Sequence, residues 1–125
     1  MTRRNISSAG LYCITGEEHS AGRSTLATAA EMLAAGAGII QYREKEKTKA
    51  QKYLDCLALR AMTLGHGALF IVNDDVDLAL AVKADGAHLG QDDMPVEASR
   101  SLLGAGAVIG VSTHSPAQAL EAVRR

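Results

Sequence analysis

Two acidic pairs each close a short apolar run in this chain. Ala68 to Val72 breaks into Asn73-Asp74-Asp75, and Gly86 to Leu89 ends at Gly90-Gln91-Asp92-Asp93. Continuous apolar runs bounded by polar residues suit strands buried on both faces. Val76 to Lys83, between them, is long enough for a short crossover helix, which lets the two strands pair in parallel. Adjacent parallel strands lie about 4.8 Å apart, so acids placed just after each would meet at one rim of the sheet. Asp74 and Asp93 are thus candidates for one shared site, at the strand ends where α/β proteins place ligands and Mg²⁺. A third run ends in Gln41-Tyr42-Arg43-Glu44-Lys45. Alternation puts Gln41, Arg43 and Lys45 on one face, with Ile40 and Tyr42 on the other. A Gln and an Arg aimed into a sheet are costly without partners, and an anionic ligand would supply them.

Plainer roles compete with each of these. The Arg43 to Lys47 stretch could be a charge run leading into the next helix, and Glu44, Glu46 and Lys47 are expected in solvent. One of Asn73, Asp74 and Asp75 should cap the following helix, with Asp75 the natural choice. Pro95 places the next cap at Asp93 or Met94. Ser112-Thr113-His114 could offer hydroxyls and N–H groups to a phosphate at a helix N-terminus, with His114 equally a surface loop residue. His88 reads as a hydrogen-bonded core histidine, and His19 and His66 fall in loops without partners. The sequence has no HxxxH or Cys/His cluster to suggest zinc, and no GxGxxG or Walker loop. Acids after consecutive strands, beside a basic strand end, point to a Mg²⁺–phosphate site.

The elements that must position these residues follow from the periodicity. Leu11 to Ile14 is a first strand, Glu17 to Arg23 a polar loop, and helix one begins near Ser24 with Leu26, Ala29, Ala30 and Leu33 on one face. Gly36 should end it in a left-handed cap. Gly38 to Arg43 is the second strand. Thr48 with Gln51 fits a capping box, opening a helix with Ala50, Tyr53, Leu54, Leu57, Ala61 and Leu64 at helical spacing and a stop at Gly65. Val96, Ser99, Leu102 and Leu103 carry the fourth helix to Gly104. Ala107 to Val111 is the fifth strand, and Ser115-Pro116-Ala117-Gln118 combines a capping box with Pro at the first helical position. The helix it opens carries Ala119, Leu120 and Val123, and no Gly, Asn or Pro closes it at Arg124-Arg125. Strands alternating with amphipathic helices indicate a parallel sheet with helices outside. An open doubly wound sheet and part of a (βα)₈ barrel both fit. Length alone favours the open sheet, since complete barrels need roughly 200 residues or more.

With 125 residues, 47% of them apolar, and a formal charge of −1, the chain should form a single domain with a real core. Its charges form no basic stripe, so neither nucleic acid nor an anionic membrane is an expected partner. No apolar run approaches the roughly 18 residues of a membrane span. The basic opening Met1-Thr2-Arg3-Arg4 lacks a signal-peptide core, which makes the cytoplasm the expected location. Cys13 and Cys56 form no CxxC motif and are expected to be reduced core residues.

The segments QYREK from Gln41, VNDDVDLALAVKADGAHLGQDD from Val72 and IGVSTH from Ile109, in this order and spacing, closely resemble thiamine-phosphate synthase. The resemblance runs from Leu11 to about Arg125. It implies a TIM (βα)₈ barrel, of which residues 1–125 would be the N-terminal part, with about five βα units. It implies transfer of the hydroxymethylpyrimidine group from its diphosphate to thiazole phosphate, giving thiamine phosphate and pyrophosphate. By that resemblance Asp74 and Asp93 would hold Mg²⁺. Arg43, Lys45, Asn73 and Ser112 would hold the diphosphate, and Gln41 would contact the pyrimidine. The implied mechanism is dissociative: pyrophosphate leaves first, and the thiazole nitrogen captures the pyrimidine carbocation without a protein nucleophile. The family's later loops, which grip the thiazole phosphate, follow strands six to eight, and the sequence has no such strands. Self-association or a missing C-terminal half is therefore expected, and turnover by this chain alone is in question. A thiazole tautomerase-like relative and a non-catalytic half-barrel that binds a phosphorylated ligand are the alternatives. Both acids and the Gln-x-Arg-x-Lys face favour the synthase over the tautomerase. A doubly wound phosphoacceptor domain would need acids after strand one and a Lys after strand five, where Thr15-Gly16 and Ser112-Thr113 stand.

Overall fold

Local signals along the chain are realised as alternating strands and helices in a computed structural model that describes residues 6–124. The basic opening Met1 to Arg4 and the final Arg125 lie outside the described residues. The strands are β1 (Tyr12–Ile14), β2 (Ile39–Tyr42), β3 (Leu69–Asn73), β4 (Gly86–Leu89) and β5 (Val108–Val111). The helices are α1 (Thr25–Ala34), α2 (Lys49–Gly65), α3 (Val76–Ala81), α4 (Val96–Leu103) and α5 (Pro116–Val123), with 3₁₀ turns at Ile6–Ser8 and Glu17–His19.

All neighbouring strands pair in parallel, in the order β1-β2-β3-β4-β5. That order decides between the two architectures. A doubly wound sheet reverses direction at a switch point so that helices cover both faces. A strictly sequential order with right-handed crossovers puts every helix on one face, as in a barrel wall. The core follows this division. On the helix side Tyr42, Phe70, Val72, Ala87 and Leu89 join Cys56, Leu59 and Ala79 in one cluster. Ile39, Leu69, Ile71 and Val108 gather separately on the opposite face with Ala9. The length-based preference for an open doubly wound sheet is thus overturned.

Helix ends are set by backbone geometry that the sequence only partly announces. Gly36 has φ 99°, its N–H donates to the Leu33 carbonyl, and the Ala37 N–H donates to Met32, so α1 closes as expected. α2 stops at Gly65 as expected, and the left-handed residue beyond it is Gly67 (φ 66°). α3 ends the same way on Lys83 at φ 57°, with Lys83 N–H to Leu80 and Ala84 N–H to Ala79. A lysine adopts that conformation at a cost of about 1 kcal/mol. The Thr48/Gln51 capping box is complete. In α5 Ser115 accepts from the Gln118 N–H, but the Gln118 side chain accepts from His114 instead of Ser115. Pro95 itself occupies the N-cap position of α4, not Asp93 or Met94, and has no side-chain cap.

The phase of α2 departs from expectation. Its inward residues are Cys56, Leu59, Arg60 and Thr63. The apolar stripe Tyr53, Leu54, Leu57 and Leu64 faces solvent, with Leu54 66% exposed. Polar partners fix this phase. Asp55 accepts from the Tyr42 hydroxyl at 2.8 Å, and buried Arg60 donates to buried Asp85 at 2.8 Å. Asp85 also accepts from the Phe70 N–H, and the Arg60 guanidinium lies 6.0 Å from the Phe70 ring centre. Rotating α2 to bury its leucines would strip partners from those charges, at several kcal/mol per unpaired buried ion. Ala30 of α1, Leu102 of α4, and Ala119, Leu120 and Val123 of α5 are likewise exposed.

Candidate active site at the carboxyl ends of the strands

The face opposite the helices is concave. It encloses a cavity of about 470 Å³ lined by Tyr12, Ile14, Ile71 and Val108 below, with Gln41, Arg43, Asn73, His88 and Ser112 above. Alternation and register explain the set. Ile14 pairs with Gln41, Gln41 with Ile71, and Asn73 with His88, and all of these point to one side. The expected alternation of Gln41 and Arg43 against Ile40 and Tyr42 holds, because the latter two join the helix-side clusters.

At the rim Lys45 Nζ lies 3.0 Å from Asp74 Oδ2. Asp74 and Asp93, nineteen positions apart in the sequence, lie close enough that each shifts the titration of the other. Burial raises the Asp93 pKa, and the neighbouring Asp74 raises it further. Burial also pushes Asp74 upward, but its interactions with Asp93 and with the Lys45 and Arg43 cations outweigh that, so Asp74 ends below its ordinary value. Two acids at one point disfavour double ionisation, which drives their pKa values apart in this way. Asp93 Oδ2 also accepts from the Gly90 N–H at 2.6 Å. Asp74 has φ 67°, a strained backbone for a side chain of this type, held by its N–H donating to the His88 carbonyl at 2.8 Å.

The neighbouring Asp75 occupies the N-cap position of α3 but makes no side-chain cap. Its carboxylate is taken by Lys49 at 2.9 Å and Lys52 at 3.0 Å. Burial raises the Asp75 pKa, but the two lysines outweigh it and bring it below the ordinary value.

Asp74 and Asp93 are the two carboxylates here that could hold a divalent cation such as Mg²⁺. Mg²⁺ is commonly held by one or two carboxylates, with substrate phosphates and water completing its shell. Among the described residues no group of three or more His, Cys, Asp and Glu gathers as ligands.

The chain matches the family model described as thiamine monophosphate synthase over residues 11–125. It belongs to that family. The thiamine-phosphate synthase of Pelotomaculum thermopropionicum is 55% identical over 120 residues, covering 94% of this chain and 55% of that protein. The Lawsonia intracellularis thiamine-phosphate synthase is 48% identical over 115 residues, covering 92% and 53% respectively. The structure of thiamine phosphate pyrophosphorylase from Pyrococcus furiosus superposes with a TM-score of 0.83 at 37% identity, over 93% of this chain and 55% of that one. The chain thus spans about half the length of the relatives it matches.

Within that family frame, the residues expected at the site are gathered in two adjoining sets. Gln41, Arg43, Asn73 and Ser112 line the cavity, while Lys45, Asp74 and Asp93 form the linked cluster at its rim. His114 is exposed. Three participants were not anticipated. Tyr12 accepts from the Gln41 side-chain amide at 2.8 Å. His88 lines the cavity with Nε2 2.8 Å from Ser112 Oγ, and Gln91 donates to the Ser112 carbonyl at 2.8 Å. Burial lowers the His88 pKa, against the pull of Asp74 and Asp93. A Cβ at Gly110 would stand 2.5 Å from His88 Nδ1, so the absent side chain at 110 makes room for the ring. In-phase spacing, Tyr12 with Ile14 and His88 with Gly86, was the available signal.

Expectations for the charge run and the cysteines meet different outcomes. Glu46 is exposed as expected, but Glu44 is buried and Lys47 half-buried. Lys47 Nζ lies 2.6 Å from Asp55 and 3.2 Å from Glu17; burial lowers its pKa, but these acids outweigh that and raise it. Cys13 and Cys56 are free thiols; burial pushes Cys56 up to about 12, so it stays protonated.

Proposed function

We propose that this chain carries the metal and diphosphate part of a thiamine-phosphate synthase site. The reaction is transfer of hydroxymethylpyrimidine from its diphosphate to thiazole phosphate, with release of pyrophosphate. The observation that carries this reading is the convergence of Asp74 and Asp93 beside Lys45, at the mouth of a cavity lined by Arg43. Two carboxylates brought together repel when both are ionised, and a divalent cation between them would relieve that repulsion. Mg²⁺ held by Asp74 and Asp93 would neutralise charge on the departing diphosphate.

The chain's own groups account for the rest. Arg43 suits two-pronged contact with a phosphate, and Lys45 adds a point charge. Asn73 and the Ser112 hydroxyl, held by His88, add polar contacts. Because its amide nitrogen donates to Tyr12, Gln41 keeps its carbonyl oxygen to accept from the pyrimidine. In a dissociative reaction these groups stabilise charge as it grows on the leaving group, and no protein nucleophile is needed. The substrates are soluble metabolites, which suits a cytoplasmic protein. No helix among the described residues is long and apolar enough to cross a membrane.

The test is calorimetry with Mg²⁺ and inorganic pyrophosphate. Mg²⁺ is expected to bind more tightly when pyrophosphate is present, and Asp93→Ala to abolish that linkage. Equal Mg²⁺-dependent pyrophosphate binding by both proteins would remove Asp93 from the site. The 125-residue chain by itself is expected to make little thiamine phosphate, because positioning both reactants supplies about 7–11 kcal/mol of the barrier. Robust synthesis at saturating substrates would overturn that expectation. Self-association is expected too, since among the described residues β1 pairs with β2 alone and half-exposed Leu11 and Ile14 flank that edge. A monomer in light scattering would count against it.

A further inference from the structure

Glu44 stands between the two cations assigned to the diphosphate, yet it is 8% exposed. Its Oε1 accepts from the Glu17 N–H at 3.0 Å, and its Oε2 accepts from the Thr25 hydroxyl at 3.1 Å. Thr25 opens α1 and is itself buried, with its N–H donating to the Glu17 carboxylate at 2.9 Å. Lys47 closes the cluster, 3.3 Å from the Thr25 hydroxyl and in contact with Glu17 and Asp55. Lys47 thus neutralises Glu17 and Asp55, while the buried Glu44 carboxylate is held by the Glu17 N–H and the Thr25 hydroxyl.

That arrangement is costly for a merely structural purpose. An apolar side chain on the helix side of the sheet would fill the same position without desolvating a carboxylate. Its geometric consequence concerns the site. β2 ends at Tyr42, so Arg43, Glu44 and Lys45 lie beyond the regular strand. Drawing Glu44 back under the loop that follows β1 keeps the strand's alternation going, which sends Arg43 and Lys45 the other way. The same loop grips the segment a second time: the Arg43 N–H donates to Thr15 Oγ1 at 2.9 Å, and the Thr15 N–H donates to the Gln41 carbonyl at 2.9 Å.

We propose that Glu44 is a positioning residue for the anion site, holding the Arg43 and Lys45 backbone so that both cations face the diphosphate. This rests on the reading of that rim as a diphosphate site. The experiment is calorimetry of inorganic pyrophosphate with Mg²⁺ on the whole chain, for wild type, Glu44→Ala, Glu44→Gln, Arg43→Ala and the Glu44→Ala/Arg43→Ala double variant. Glu44→Ala is expected to weaken binding about tenfold, the lower end of what an outer-shell partner of a ligand contributes. Glu44→Gln, which keeps one acceptor, is expected to recover most of that loss. On the Arg43→Ala background the Glu44→Ala effect should shrink, because part of what it positions is gone.

Fully additive losses, or Glu44 variants that bind like wild type while Arg43→Ala binds weakly, would overturn the proposal and leave the site reading intact. Wild type that fails to bind, or Arg43→Ala that binds unchanged, would overturn the site reading and the proposal with it. If Glu44→Ala does not fold, Thr25→Val against Thr25→Ser makes the same comparison. Val should weaken pyrophosphate binding and Ser restore it, and equal binding by the two would overturn the proposal.

Discussion

β2–α2 and β5–α5 are built from nearly the same local instructions. Each has a short β-branched strand, a polar strand end and a helix capped by a hydroxyl with Gln at the third position. In the second unit every strand residue is buried, and Cys56, Leu59 and Thr63 are fully enclosed. In the fifth every strand residue is only half-buried, and among the described residues α5 has no buried one. The difference lies in the neighbours. β2 has a strand on each side, and α2 lies between α1 and α3. Among the described residues β5 has β4 alone. Capping and periodicity form an element, and flanking elements decide what it contributes to stability.

The largest expected effects would break this comparison if they failed. Phe70→Ala should cost about 3–5 kcal/mol, and Asp85→Asn about as much, because it leaves buried Arg60 unpaired. Leu120→Ala in α5 should stay within about 0.5 kcal/mol. Urea unfolding of the three variants is the measurement, and a large loss from Leu120→Ala would mean that α5 is packed far more tightly than its exposure indicates.

A smaller effect sharpens the contrast inside the fifth unit. Gly110 lies on a lightly packed strand, but an added Cβ would collide with the His88 ring. Gly110→Ala is expected to cost about 1–3 kcal/mol and to break the His88–Ser112 hydrogen bond, which imidazole NMR would report. An unperturbed imidazole would show that the ring has room to spare.

His88 also sets a pH dependence. Its folded pKa lies below the ordinary 6.5, chiefly through burial. Above that pH neither the folded nor the unfolded chain carries the proton. As pH falls below about 6.5 the unfolded chain protonates first, so stability declines until the lower folded pKa is reached, by at most about 1.4 kcal/mol per pH unit. Melting temperatures of wild type should therefore fall faster on acidification than those of His88→Gln. Parallel curves would mean that the burial of His88 leaves its titration unchanged.

The smallest expected effect concerns the outer stripe of α2. Leu57→Gln should change stability by no more than about 0.5 kcal/mol, while Leu59→Ala, two positions away, should cost about 2–5 kcal/mol. Comparable losses in thermal unfolding would mean that the stripe is covered in solution.

The sequence by itself determined the elements and the residues at the strand ends. β1 to β5 begin within one or two residues of the expected starts, and the expected site residues lie in the cavity or at its rim, because the period of 2 is a local property of the chain. Tertiary structure alone decided three things. Strand order separates a barrel wall from a doubly wound sheet, and both arise from identical βα signals. The phase of α2 is set by Arg60–Asp85 and Tyr42–Asp55, pairs whose partners lie 25 and 13 residues apart. The burial of Glu44 depends on Glu17 and Thr25, 27 and 19 residues away. Periodicity states how often a side chain returns to a face. Which face is buried depends on partners that meet only when the sheet is assembled, and a charged side chain reads as solvated until its partner is in place.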